Sequence, residues 1–511
     1  MARFLIAQSL ADKKPEPVRS KAMFSKMRVA VASVADVVDT ADEAEEEQDT
    51  GKTLILEGNP ADIEAKRKEL PADYILETEK LRRPGTFHPL VAAPHSAEEL
   101  TSGLGATIEI NVSSAGAPVP EAQITMTSVA LRGGFPNTTF GVTDENGRAL
   151  LTYNPNVWIP LGVAVLPRSR AWPVFTQIAR KKLNILLPPL PRGGPLGWWH
   201  RVLGLNSYSE QLGEGIRVGV IDTGVGPHPY LSHVRSAGAF LNGKRLQSPE
   251  SLNDVAEHGT HVAGIIGARP ASGSKDFAGI APGAELVAAR VYPGGGPPNM
   301  ESGPTSNGDI AQAILTLARD EECDIINLSS GGPMRSRIEA DRITAALNRG
   351  TLVICSVGNG SGFPVMYPAA EPAAIGVSAL GPTGGVPFGI LDMFSYPTQP
   401  DRFSFAGFFA PNFISVGMET KLTGPGVGIV STAPARVADE APYVSMSGTS
   451  MSAPAVAGAL AAILSQDPTY KSLPRNRERS SYAWRVLLRS VRTLGLNQQY
   501  QGYGMPVVQT S

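Results

Sequence analysis

The rhythm of apolar and polar positions changes three times along the chain. Residues 1–85 alternate short strand-like and helix-like stretches: Arg3–Ile6, a helical run from Val18 into Ala30-Val31-Ala32, strand-like Thr53–Leu56, helical Pro60–Leu70 and strand-like Tyr74–Glu79. Between them Asp36–Asp49 is acidic and reads as a solvated loop. In residues 104–168 the period shortens to two, as in Thr107-Ile108-Glu109-Ile110-Asn111-Val112. A turn-rich Ala115–Pro120 and a strong turn at Thr143–Arg148 follow, and together they predict a small β-sandwich. Residues 169–196 read as a linker, clearest at Pro188-Pro189-Leu190-Pro191-Arg192-Gly193-Gly194-Pro195. Residues 197–511 form the last and longest part. There the apolar run Val218–Ile221 reads as a buried parallel strand, and an α/β alternation follows it.

Three segments far apart in this last part carry one member each of a nucleophilic triad: Val218-Gly219-Val220-Ile221-Asp222-Thr223-Gly224, His258-Gly259-Thr260-His261-Val262-Ala263-Gly264 and Gly448-Thr449-Ser450-Met451-Ser452-Ala453-Pro454. A serine hydroxyl is a weak nucleophile until a neutral imidazole accepts its proton. The imidazole in turn needs a buried carboxylate to hold its tautomer and its charge. Asp222 is expected at the carboxyl end of its strand, where open α/β sheets build their sites. Small residues follow both His258 and Ser450, so the two helices they begin can pack closely. Ser450 is expected at a helix N-terminus, where free N–H groups and the dipole favour a developing oxyanion.

Each residue also has a plainer reading. Asp-Thr-Gly occurs in aspartic proteases, and a second copy stands at Asp49-Thr50-Gly51, but that copy lacks a preceding apolar strand. His258 and His261 share helical spacing with no intervening Glu and no evident third ligand, so His261 is read as a packed structural histidine and no metal site is assigned. Cys355 has nothing nearby in sequence to activate it as a nucleophile.

All three segments together resemble the subtilisin-like serine proteases, whose triad runs in the order Asp, His, Ser. The resemblance covers roughly residues 195 to 505. It is reinforced by Gly279-Ile280-Ala281-Pro282-Gly283-Ala284, Ile326-Asn327-Leu328-Ser329-Ser330-Gly331-Gly332, Ser356-Val357-Gly358-Asn359-Gly360 and Gly502-Tyr503-Gly504. It implies an α/β fold with a doubly wound, mostly parallel sheet over residues 197–511. It also implies a serine endopeptidase with Asp222, His258 and Ser450 as triad, and with Asn359 and the Ser450 N–H as oxyanion donors. Ser329, Ser330, Gly331 and Ser356, Val357, Gly358 become the two walls of the primary specificity pocket. No acidic residue stands on these walls, so an uncharged side chain at the cleaved position is expected.

Residues 1–85 look like the inhibitory pro-region of such proteases, and residues 104–168 resemble transthyretin-like or carboxypeptidase-regulatory-like modules. A module in that position departs from the usual arrangement. A cut near Leu81 would leave it attached, whereas one near Arg192 would release it. Another departure lies between Gly381 and Gly428, where Phe408, Phe409 and Phe413 are expected in the core.

Composition narrows the picture further. A chain of 511 residues exceeds one ordinary core, and a net charge of −2 argues against a nucleic-acid binder. The basic stretch Arg475–Arg492 reads as the solvated face of a terminal helix. The only two cysteines, Cys323 and Cys355, allow one bridge at most. Aligning Ser329 with Gly358 offsets them by about three residues, roughly 10 Å along a strand, so two free buried thiols are expected. Phe4-Leu5-Ile6-Ala7 is too short for a signal-peptide core and no run is long enough to span a membrane, so a cytoplasmic or unconventionally exported protein is expected. No cofactor is required by the chemistry, and no calcium ligand set stands out. The expected partner is a polypeptide substrate, with possible inhibition by the N-terminal region. The alternatives are a restrained zymogen and a pseudoprotease that acts as a binding module.

Overall fold

The computed structural model describes residues 2–10, 35–38, 53–70, 73–84, 105–132, 136–294, 303–384, 390–437 and 440–509. The helix expected from Val18 and most of the acidic stretch lie outside the described residues. The N-terminal strands β1 (Ala2–Gln8), β2 (Ala35–Val38), β3 (Thr53–Gly58) and β4 (Tyr74–Thr78) form one sheet in the order β2-β3-β1-β4. Helix α1 (Pro60–Lys66) starts on Asn59, whose side chain accepts from the Ala61 N–H, and it tightens into a short turn at Arg67–Glu69. One face of the sheet closes over Ile63 of α1. The other sets Leu5, Ala7, Ile55 and Ile75 against Ala311 and Ile338 of the large domain. A short strand, β5 (Leu81–Pro84), leaves this sheet altogether.

Next come β6 (Ala106–Ser114), β7 (Ala117–Pro118), β8 (Gln123–Ala130), β9 (Asn137–Val142), β10 (Arg148–Tyr153), β11 (Trp158–Leu166), β12 (Val174–Gln177) and β13 (Lys182–Leu187). They make two sheets, β10-β6-β13 with β7 beside β6, and β12-β11-β8-β9. Between them Ile108, Ile110, Val112, Ile124, Met126, Leu151, Val163 and Val165 form one core. The boundary at 168 is corrected here, because β12 and β13 lie inside the supposed linker. Leu183, Ile185 and Leu187 alternate inward, and β13 pairs in parallel with β6, a contact invisible to local pattern. The connecting segment is fastened as well: Trp172 and Leu190 are buried in the core of the large domain, and the Arg170 N–H donates to Tyr443 O at 2.8 Å.

The large domain is built on a nine-stranded sheet. Its strands are β14 (Arg217–Asp222), β15 (Arg235–Leu241), β16 (Lys244–Leu246), β17 (Glu285–Arg290), β19 (Ile325–Leu328), β21 (Leu352–Ser356), β22 (Ile375–Pro382), β23 (Phe408–Phe409) and β24 (Leu422–Pro425). The order is β16-β15-β17-β14-β19-β21-β22-β23, with β24 also on β22. All pairs are parallel except those of the edge strands β16 and β23. Helices α2 (His258–Gly267) and α5 (Thr449–Ser465) pack on one face with Val218 and Val220, whereas α3 (Asn307–Arg319) and α4 (Arg337–Asn348) pack on the other with Ile221 and Ile326. That is the doubly wound α/β arrangement. The chain runs outward from β14 to β15 and β17 and then crosses to β19, so the switch point of the sheet lies at the carboxyl ends of β14 and β19.

Phe408, Phe409 and Phe413 are buried as expected, whereas Phe405 is fully exposed. The basic stretch near the end differs from expectation. Arg479, on the helix Arg477–Arg489, is buried and donates through Nε and Nη2 to Asp324 Oδ1 at 3.2 and 2.9 Å. Both cysteines are buried and free. The register separates them further than expected: Cys355 stands opposite Leu328, five residues beyond Cys323. Burial pushes both thiols up, away from the reactive thiolate.

Candidate active site

Asp222 ends β14 at the switch point, 2% exposed, and its Oδ1 lies 2.6 Å from Nδ1 of His258. The Thr223 N–H donates to the same oxygen at 2.8 Å. His258 opens α2 directly after β14 in space, an approach that only glycine at 259 permits. A Cβ there would stand 2.1 Å from Gly224 O and 3.2 Å from Asp222 Oδ1. Asp254 locks the two elements together: Oδ1 accepts from the Thr223 hydroxyl at 2.7 Å and Oδ2 from the Thr260 N–H at 2.7 Å. The Gly259 N–H in turn donates to the Thr223 hydroxyl at 2.8 Å. The sequence reading passed over Asp254, although an acid just ahead of a helix N-terminus is a recognisable signal.

His261, one turn along α2, is fully buried, with Nε2 3.0 Å from Ile429 O. Desolvation, helped by neighbouring His258, lowers its pKa to about 3, so it remains neutral and structural. Among the described residues no cluster of three or more His, Cys, Asp or Glu side chains is placed to hold a metal ion.

Ser450 lies in the first turn of α5, after Gly448, and is fully buried. The close packing expected from small residues is realised at Gly458, where a Cβ would meet Ile266 of α2 and Ile280 at 3.6 and 2.9 Å. Gly264 instead abuts Thr432 of another strand pair, with 2.1 Å left for a Cβ. The Ser450 hydroxyl donates to Ser329 O at 3.1 Å, and the Ser329 hydroxyl donates to Ser450 O at 3.0 Å, so one wall of the cleft is tied to the serine.

Asn359 follows β21. Its Oδ1 accepts from both the N–H and the hydroxyl of Thr449, at 3.0 and 2.9 Å. A backbone N–H can only donate, so the amide orientation is decided and Nδ2 is the outer, donating edge. The Gly358 N–H donates to the Thr449 hydroxyl at 3.2 Å, which links this wall to α5 as well.

Of the two expected walls, Gly331 and Gly358 both stand against Met366, which was not anticipated, whereas Val357 is buried in the core of the large domain. A Cβ on Gly331 would meet Met366 Cβ at 3.2 Å, and one on Gly358, whose φ is +100°, would meet its Sδ at 2.6 Å. No local signal marks Met366, because only the loop that returns it to the two glycines gives it this position.

Two further short strands, β18 (Thr305–Ser306) and β20 (Ser330–Gly331), border the cleft. The segment β5 from the N-terminal region lies between them as the middle strand of a three-stranded sheet. It is antiparallel to both, with Arg82 opposite Thr305, Arg83 opposite Gly331 and Pro84 opposite Ser330. Nearby Glu77 binds the start of α4: its carboxylate accepts from the Ser336 hydroxyl at 2.6 Å and the Arg337 N–H at 2.9 Å.

Residues 213–504 match the subtilase family. The chain is 32% identical to subtilisin Savinase of Lederbergia lenta over 261 residues, 51% of this chain and 80% of that protein. It is also 32% identical to an alkaline protease of Alkalihalobacillus alcalophilus, of which it spans 57%. Subtilisin NAT of Bacillus subtilis subsp. natto is 33% identical over 309 residues, 58% of this chain and 66% of that protein. With more than half of its length matched and a nine-stranded α/β sheet beneath the site, the chain belongs to the subtilase family of subtilisin-like serine endopeptidases.

Proposed function

We propose that residues 197–511 hydrolyse peptide bonds through an acyl-enzyme formed on Ser450. The observation that carries this reading is the buried Asp222–His258 contact of 2.6 Å, together with Ser450 in the first turn of the buried helix α5. The Ser450 hydroxyl exchanges its partner Ser329 O for His258, which takes the proton as Oγ attacks the substrate carbonyl carbon. Asp222 orients the imidazole and stabilises its charge. The oxyanion lies at the start of α5, between the Ser450 N–H and Asn359 Nδ2. As the C–N bond breaks, His258 returns the proton to the leaving amine. Water then repeats the sequence on the ester and frees Ser450. Met366 shortens the specificity pocket, which favours small uncharged side chains there.

The test is intact mass after a serine-reactive fluorophosphonate. One adduct is expected on the chain freed of its N-terminal region and none on Ser450→Ala. Absence of an adduct from a folded chain that has lost its N-terminal region would refute the assignment.

A second reading concerns restraint. The pairing of β5 with β18 and β20 favours a zymogen in which β5 fills the cleft and holds the enzyme in check. By the register of β5 the bond offered to Ser450 then lies one residue beyond Pro84, and the sandwich stays with the catalytic part. Ser450-dependent loss of the N-terminal region at that point, and not near Arg192, is the expected mass change.

A further inference from the structure

Only one side chain of β5 is driven fully into the protein. Along Leu81-Arg82-Arg83-Pro84, Leu81 and Arg83 are exposed, whereas Arg82 is 0% exposed. Arg82 Nε and Nη2 donate to Oε1 and Oε2 of Glu339 at 3.1 and 2.6 Å, a two-pronged pairing, and Nη2 also donates to Met334 O at 2.9 Å. Glu339 stands in the first turn of α4, is itself 0% exposed, and its N–H donates to the Ser336 hydroxyl at 3.1 Å. Gly332 leaves the room that a guanidinium needs: a Cβ there would be 2.9 Å from Arg82 Nη1 and 3.0 Å from Leu81 O.

A carboxylate sealed from water needs a cation. Burial pushes the Glu339 carboxyl up and Arg82 opposes that shift, followed by weaker effects of Glu77 and Lys80. All three of these charged groups belong to the N-terminal region, so none of them remains when that region leaves.

The path of β5 is also the path of substrate. Arg83 faces Gly331 and Pro84 faces Ser330, so the next step of an antiparallel strand faces Ser329, whose carbonyl accepts from the Ser450 hydroxyl at 3.1 Å. An extended substrate paired with the same two edges brings its own residue into the Arg82 position, three places before the one that faces Ser329.

Building on the endopeptidase reading, we propose that Glu339 floors a substrate subsite that selects arginine. The preferred substrates are then extended segments with arginine three residues before the one whose carbonyl is attacked. Arginine suits the site better than lysine, because the two carboxylate oxygens and Met334 O match a planar fork of donors.

The test uses the full chain carrying Arg82→Gln, which loosens β5, and follows the rate of fluorophosphonate labelling at Ser450. Competitors are two peptides copying residues 79–86, one with arginine at the position of Arg82 and one with its neutral isostere citrulline. The arginine peptide should protect at concentrations about 30- to 1,000-fold lower, the range for removing one partner of a buried charge pair. Adding Glu339→Gln should bring the two peptides within about threefold, the size of an exposed ion-pair effect. Should either variant fail to fold, the wild-type chain after self-cleavage is titrated with the same pair under the same criterion. Labelling with equal protection by both peptides, or with none, overturns the arginine subsite alone. A folded, trimmed chain that is not labelled overturns the endopeptidase reading and this one with it.

Discussion

Thr449→Val separates the orientation of the oxyanion donor from its presence. The two side chains have nearly the same shape, so the buried helix start keeps its packing. Valine loses the hydroxyl that donates to Asn359 Oδ1 at 2.9 Å and accepts from the Gly358 N–H at 3.2 Å, while the bond from the residue-449 N–H to Oδ1 remains. Leaving a buried N–H without an acceptor costs about 1–3 kcal/mol of stability. For activity, one lost orienting bond of about 1 kcal/mol corresponds to roughly a fivefold fall in kcat, at about 1.4 kcal/mol per tenfold. Removing the donor outright with Asn359→Ala should cost far more, about 10²- to 10³-fold, a magnitude taken from a subtilisin and not worked from this chain. The assay is kcat on a peptide substrate, normalised to sites counted with fluorophosphonate, for both single variants and the double. If Thr449 acts through Asn359, the valine should change kcat by less than about twofold once the amide is gone, while its stability loss persists. An equal fall in kcat with and without Asn359 would refute the reasoning.

Met366→Gly should open the gap between Gly331 and Gly358, raising kcat/KM for large apolar side chains at the cleaved position about tenfold or more relative to small ones; an unchanged ratio would remove Met366 from the pocket. Arg168, between β11 and β12 of the sandwich, pairs at 2.5 Å with Glu257, the residue before His258. Because the pair is partly exposed, Arg168→Ala should lower kcat only about threefold with KM unaltered, and a change in KM alone would count against a positioning role. Stability should fall on acidification. His200, His228 and His233 are lowered by burial to about 4 and His261 to about 3, from 6.5. Above pH 6.5 these rings are neutral folded or unfolded; below it the unfolded chain takes up protons first, so stability drains toward pH 4. Asp309 and Asp392, raised by burial to about 7 and about 6, and Asp254, Glu257 and Glu339, which burial also raises, gain protons in the folded state and offset part of the loss. Denaturation of Ser450→Ala should therefore show a lower midpoint at pH 5 than at pH 7, and an equal or higher one would mean that the raised carboxyls outweigh the four histidines.

The sequence by itself determined the chemistry-bearing segments. Each residue's role there depends on its immediate neighbours: an apolar run carries Asp222 to a strand end, Gly259 lets the histidine helix approach, and Gly448 turns the chain into the helix of Ser450. Such requirements are written in contiguous residues, so the placement of Asp222 at a strand end and of His258 and Ser450 in the first turns of helices was legible together with the α/β class, whereas Asn359 was named only from the family resemblance. Tertiary structure decided what depends on register and on partners distant in the chain. Glu339 meets Arg82 across 257 residues, with no mark on either segment to announce it. The strand Lys182–Leu187 joins the sandwich only because its apolar face finds Ala106–Ser114. Cys355 falls opposite Leu328 by a register that flanking motifs mislead by two positions. The physical reason is common to all three. Local backbone geometry is a property of a few adjacent residues, whereas strand register and buried charge pairs are settled by the whole core, where a slip of one residue exchanges every inward side chain for an outward one.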